Sequence, residues 1–188
     1  MIIPTRIITP PTSEPVSVFE VKDHLRGISH DDHDIMIRGL IKSAREEVEG
    51  RTGRALVQRT VAAMFQGWPD QAFDLPFAPL SSVTSVKYTN TDGDESTFSS
   101  DDYSVDVDSE PGRVVLGYSK AWPTATLHAP DYPVVVTYVA GYTTIPENIK
   151  TAIKFLVDVA YSQPPADYVR TMDRAIDALL APYRLWSF

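Results

Sequence analysis

Fifteen prolines constrain this 188-residue chain more than any other feature. Pro4, Pro10, Pro11 and Pro15 deny a helix to residues 1–15, because each ring fixes φ and removes an amide donor. Met1–Pro15 therefore reads as an extended arm, although it carries Ile2, Ile3, Ile7 and Ile8. Isoleucines on such an arm either pack back on their own domain or lie on a neighbouring subunit. The same prolines leave no apolar run long enough for a membrane span or the core of a signal peptide, so the chain reads as soluble and cytoplasm-made. Nine glycines add further breaks. The expected product is a set of short elements in one domain, since 188 residues can bury a sizeable core.

Helical periodicity sits at the two ends. Ser17 and Glu20 have the spacing of a capping box, and Val18, Val21 and Leu25 follow as a stripe with Phe19 at its margin. A longer helix is expected over 32–52, capped by Asp31 or Asp32, striped by Ile37, Leu40, Ile41, Ala44 and Val48, and stopped by Gly53. The middle of the chain turns to β-branched and aromatic residues. Strands are expected at Thr60–Phe65, Phe73–Pro76, Ser82–Tyr88, Tyr103–Val107, Arg113–Leu116 and Val134–Val139. Asn90–Asp94 is the best turn signal and predicts a hairpin. The unbroken apolar run Val134–Val139 predicts a central strand covered on both faces. Pro146, at a favoured first-turn position with Thr144 as a possible cap, opens a third helix to 162. Its stripe is Ile149, Ile153, Leu156, Val157 and Ala160. A last helix over 167–181 carries Met172, Ile176, Leu179 and Leu180. The fold class is α+β: two N-terminal helices, a central, mostly antiparallel sheet of short strands, and two C-terminal helices.

Signals for chemistry are sparse. The absence of cysteine excludes disulfides and thiolate metal sites. His30–Asp34 is the one dense group of possible metal ligands, but it has no third ligand elsewhere and acids at a helix start already serve as caps. Asp92, Asp94 and Glu95 do not fit a calcium loop, and a hairpin turn accounts for them. Asp106 and Asp108 share a strand face and form the only candidate pair for a carboxylate-dependent hydrolase. No nucleophile elbow, P-loop or dinucleotide glycine pattern occurs. Arg51 and Arg54 could meet a phosphate or a partner's carboxylate, or simply end a helix. A net charge of -8 disfavours unspecific attraction to DNA or anionic lipid. No cofactor is expected.

Several passages in order carry a resemblance. They are Ile7–Pro11, Glu14–Arg26, Ile41–Glu49 with Thr52–Leu56, Leu75-Pro76 with Pro79–Tyr88, Tyr103, Asp106–Asp108, Pro111–Val114, Trp122-Pro123, and Val134–Tyr142 with Ile145–Lys150. Together they resemble the head–tail connector (adaptor) proteins of tailed bacteriophages. The chain departs at Val159–Gln163, where many relatives carry W-Y-E-N-R. The resemblance implies a non-catalytic virion protein of the neck, made in the bacterial cytoplasm. It implies a homo-oligomeric ring, commonly of twelve, that touches the portal protein and a tail or tail-completion protein and passes double-stranded DNA without binding it specifically. No membrane partner is implied. A non-viral protein-binding module is the alternative.

Three segments follow: an arm over 1–15, a connector domain over 16–182 and an interaction tail over 183–188. Tyr183, Leu185, Trp186 and Phe188 place large apolar groups at a terminus, where an interface is the usual reason for them. The candidate partner contacts are therefore Ile7, Ile8, Arg51, Arg54, Tyr183, Leu185, Trp186 and Phe188. Acidic residues Asp92, Asp94, Glu95, Asp101 and Asp102 are the candidates to line a DNA channel.

Overall fold

A computed structural model describes residues 3–25, 31–128 and 132–185. The chain divides into two compact units, each built from two separate stretches of sequence. Residues 1–11 and 58–142 make a sheet unit, and residues 12–57 and 143–188 make a helical unit. The expected arm is thus shared: its first part joins the sheet unit and its last part the helical unit.

The sheet unit contains β1 (Thr5–Thr9), β2 (Arg59–Phe65), β3 (Ala72–Asp74), β4 (Leu80–Thr89), β5 (Glu95–Phe98), β6 (Tyr103–Asp106), β7 (Arg113–Leu116) and β8 (Val134–Ala140). These form two sheets rather than one. Five strands run in the order β1-β2-β8-β4-β5, and three in the order β3-β7-β6, with every neighbouring pair antiparallel. The hairpin at Asn90–Asp94 joins β4 to β5. There the Asn90 side-chain oxygen accepts from the amides of Asp92 and Asp94, both at 2.9 Å. The broken alternation of Ser82–Tyr88 has a physical cause: β4 shifts register against β8 between Leu80 and Ser82 and again between Val83 and Ser85.

β8 is central, as its apolar run predicts, but it is not covered equally on both faces. Val134, Val136, Tyr138 and Ala140 are buried, while Val135, Thr137 and Val139 are half-buried. The run is apolar because its second face is partly screened. The Tyr138 hydroxyl donates to the Pro76 carbonyl at 2.6 Å, and burial raises its pKa above 10. Around this face the aromatics gather. Trp68 stacks on Trp122 at 5.2 Å, and Phe73 lies between Phe65 at 4.6 Å and Trp122 at 5.3 Å. Aromatic pairs at such separations add to what their buried area contributes. The irregular segment after Tyr118 thus brings a half-buried Trp122 against Trp68 and Phe73.

The helical unit contains α1 (Val18–Leu25), α2 (Asp34–Thr52), α3 (Glu147–Ser162) and α4 (Ala166–Leu180). α2 packs on α3, α3 on α4, and α1 on both α2 and α3. The core is Val16, Val21, Ile37, Ile41, Val48, Leu56, Ile149, Ile153, Val157, Ile176 and Leu180, all at most 2% exposed. The expected stripes hold with one exception. On α3 the buried face is Ile149, Ala152, Ile153 and Val157, and Ala160 is exposed. Phe19 is 79% exposed and takes no part in the core.

Helix ends follow the sequence signals unevenly. The capping box forms. The Ser17 amide and hydroxyl donate to Glu20 Oε2 at 2.7 and 2.8 Å, and the Glu20 amide donates to Ser17 Oγ at 3.1 Å. Gly53 ends α2 with φ 73°, its amide donating to the Glu49 carbonyl. The cap position of α2 falls instead on His33, and Asp31 contributes its carbonyl to the Asp34 amide at 3.0 Å. Pro146 and Pro165 stand at the cap positions of α3 and α4 with no side-chain cap bond, so Thr144 does not fill that role.

Ser17→Ala is expected to cost about 1 kcal/mol in a urea titration, the typical worth of such a cap. The Ser17 amide first, and then its hydroxyl, holds the Glu20 carboxyl below its ordinary pKa. A depressed carboxylate contributes stability that is present above its unfolded value and lost as pH falls through its folded one. The wild-type advantage over Ser17→Ala should therefore shrink on acidification below about pH 4.

Candidate interaction surfaces

The only candidate catalytic pair is already spent on structure. The Asp106 Oδ2 accepts from the Ser109 hydroxyl at 2.6 Å and from Arg113 Nη2 at 2.8 Å, while Oδ1 accepts from the Ser109 amide at 3.0 Å. Bonds from Ser109 and the Arg113 guanidinium hold this carboxyl far below the usual carboxylate range. A carboxyl held so far down is a poor proton donor near neutral pH. Asp108 lies beyond the end of β6, exposed, and its amide closes a turn on Asp106 Oδ1 at 3.2 Å. The two carboxylates therefore do not share a strand face. A cleft in the helical unit is lined by Asp23, His24, Phe155, Asp158, Tyr168 and Met172, whereas Asp106 belongs to the sheet unit. Among the described residues no group of three or more His, Asp or Glu could hold a metal, and His30 of the ligand-like run lies outside them. No described helix is long and apolar enough to cross a membrane.

The basic candidates have partners within their own unit. Arg51 is held by Glu47 at 2.5 Å, Asp173 at 2.8 Å and Asp177 at 3.1 Å, which ties α2 to α4. Arg54 is buried, 4% exposed, and its Nε donates to the Tyr183 carbonyl at 2.5 Å. The first residues of the tail are anchored there too. The Leu185 amide donates to the Thr52 carbonyl at 2.9 Å, its side chain lies 3.6 Å from the Cβ position of Gly53, and Arg184 pairs with Asp177 at 2.7 Å. Tyr183 and Leu185 are half-buried by these contacts. Trp186 and Phe188 lie outside the described residues.

The acidic candidates are at or near the surface. Asp92, Asp94, Glu95 and Asp101 are exposed, and Asp102 is half-buried beside Lys120 at 2.6 Å. Glu95 pairs with Lys87 across the β4–β5 hairpin at 2.6 Å. Ile7 and Ile8 on β1 are each 49% exposed. Sequence reasoning missed other exposed apolar side chains: Phe19, Ile35 at 88% and Tyr118 at 99%. Ile35 and Phe19 were legible as residues off the helical stripes, since neither falls on the buried spacing.

The described surfaces, with partly exposed apolar groups on an α+β scaffold, suit contacts with other chains. The comparisons make that specific. The family model for head completion protein matches residues 16–173, and the chain belongs to that family. It is a structural head–tail connector protein rather than an enzyme. Among curated proteins none matches this sequence significantly. Solved chains that share the fold include three from gene transfer agent particles. One comes from the neck of an empty gene transfer agent (GTA) particle computed with C6 symmetry; it is 20% identical, with a TM-score of 0.81 over 98% of this chain and 97% of that one. A second, from the virion of a native GTA particle, is 20% identical, with a TM-score of 0.79 over 98% and 96%. The third, from the neck of a native GTA particle computed with C12 symmetry, is 22% identical, with a TM-score of 0.76 over 100% and 97%.

Proposed function

We propose that this chain is the repeating subunit of a closed ring in the neck of a phage-like particle, joining the portal to the tail or tail-completion proteins and forming part of the DNA conduit. The family match over residues 16–173 carries this reading. Fold likeness to chains from necks computed with C6 and C12 symmetry supports it, and twelve copies is the expected number. The exposed acids Asp92, Asp94, Glu95 and Asp101, with Asp102 beside them, suit a wall past which DNA slides, because like charge does not grip the phosphates. The tail from Tyr183 to Phe188, anchored up to Leu185 by Thr52 and Arg54, is the candidate contact for the portal or the tail side. Ile7 and Ile8 are candidates for contacts between copies.

The test is to produce particles without this chain. DNA-filled heads lacking tails are expected, and supplying the wild-type chain should restore tail attachment. Tailed, infectious particles assembled in its absence would overturn the reading.

A further inference from the structure

The five-stranded sheet has two open edges, and they differ. On one side stands β1, Thr5–Thr9, bounded by Pro4 and Pro10, so that five residues offer their outer backbone. On the other stands β5, Glu95–Phe98, four residues long and followed by the short turn Ser100–Asp102. Among the described residues no strand pairs with the outer side of either. An open edge presents unpaired amides and carbonyls and is a template for another strand. Proteins ordinarily blunt such an edge with lysine, inward-pointing charge or very short strands. β1 instead places two half-exposed isoleucines there.

The edges also differ in charge. Arg6, exposed, is the only charged side chain on β1 and its flanks through Ser13. From Thr89 to Gly112 every charged side chain is acidic, and Asp92, Asp94, Glu95 and Asp101 are exposed around β5. Closed rings form through heterologous contacts, in which one face of each copy meets a different face of the next. A sheet with one basic, apolar edge and one acidic edge of nearly the same length supplies such a pair. Two like edges would repel or lack a counter-charge.

We infer that β1 of one copy lies along β5 of the next, so that the five-stranded sheets continue from subunit to subunit around the ring. This rests on the ring reading above. A four-residue pairing buries far less than the roughly 800 Å² per partner of a standard interface. The seam therefore fixes direction and neighbour, while other surfaces add area. It also places Glu95, which its own Lys87 meets at 2.6 Å, at the boundary between copies and within reach of Arg6 of the neighbour.

The chain has no cysteine, so introduced thiols report without background. Facing residues on adjacent strands have Cα atoms about 4.5–5.5 Å apart, within the roughly 4.4–6.8 Å that a disulfide spans. Four double variants, Ile7→Cys or Ile8→Cys combined with Ser96→Cys or Thr97→Cys, cover every register in which β5 pairs along its whole length. Assembled necks carrying them would be oxidised and run on a non-reducing gel. At least one pair is expected to give a ladder of crosslinked multimers, and each single variant should stay monomeric on the gel. If the ring is visible by electron microscopy and no pair crosslinks, the seam is wrong and the ring reading stands. Dimers from a single variant alone would show like edges meeting and would also overturn it. If the particle holds no ring of this chain, both readings fall together.

Discussion

Arg45→Ala is expected to lose about 3–5 kcal/mol of stability, the usual cost of removing one member of a buried ion pair and leaving the other. Arg45 is 5% exposed in the middle of α2. Its Nε donates to Glu14 Oε2 at 2.7 Å and its Nη1 to Glu49 Oε2 at 3.1 Å, with Glu46 at 3.6 Å. Glu49 has only 12% of its side chain exposed, and its other oxygen accepts from the Leu56 amide at 3.0 Å. Without Arg45 that carboxylate stays largely buried and loses the guanidinium that stands 3.1 Å from its Oε2. Glu14 is a third exposed and can turn to water, so Glu14→Gln should cost well under half as much. A urea titration of the two variants checks the ranking. Equal losses would show that the weight lies on the arm and not on the buried acid.

Gly112→Ala is expected to cost about 3 kcal/mol, at the upper end for overpacking. A Cβ at position 112 would stand 2.3 Å from Leu80 Cβ and 2.7 Å from Leu80 Cδ2. Leu80 is 5% exposed at the start of β4, and Gly112 accepts the Leu75 amide at 2.8 Å. A side-chain tip could rotate away, but a Cβ moves only with its backbone, which is paired to Ala140 of β8. Leu80→Ala added to Gly112→Ala should therefore not restore the melting temperature, because the nearest clash persists. Recovery in that double variant would show that the branched end of Leu80 is the true obstacle.

Much of the fold was legible because its signals are local. Ser17 and Glu20 bond to each other three residues apart, Gly53 answers to its own φ, and the spacing of Ile37, Ile41 and Val48 is a property of one helix. What stayed hidden depends on partners far along the chain. The division into two sheets rests on β3 finding β7, and nothing near Ala72–Asp74 encodes that choice. The unequal faces of β8 reflect what covers them. Trp68 and Trp122, both half-buried, are brought together by a stacking contact at 5.2 Å between residues far apart in sequence. The candidate surfaces show the same limit. Arg51 and Arg54 end a helix and carry charge, which marks them as contacts, but their partners at Asp173 and Tyr183 lie more than a hundred residues away in sequence. The apolar character of Ile7 and Ile8 was visible from the start, because prolines on both sides leave an extended strand as the local option.

The interleaving of the two units sets an order on synthesis. The last stretch of the sheet unit ends at residue 142, and the second half of the helical unit begins at 143. A chain leaving the ribosome can therefore close its sheet while α1 and α2 still wait, with Ile37, Ile41 and Val48 uncovered until Ile149, Ile153 and Val157 emerge. Domains fold as units, N-terminal material first, while synthesis adds about 5–20 residues per second. The waiting helices remain sticky for seconds, and an interrupted chain never covers them. A product that stops before residue 146 carries the apolar face of α2 bare, the kind of surface that makes incompletely folded chains prone to aggregate.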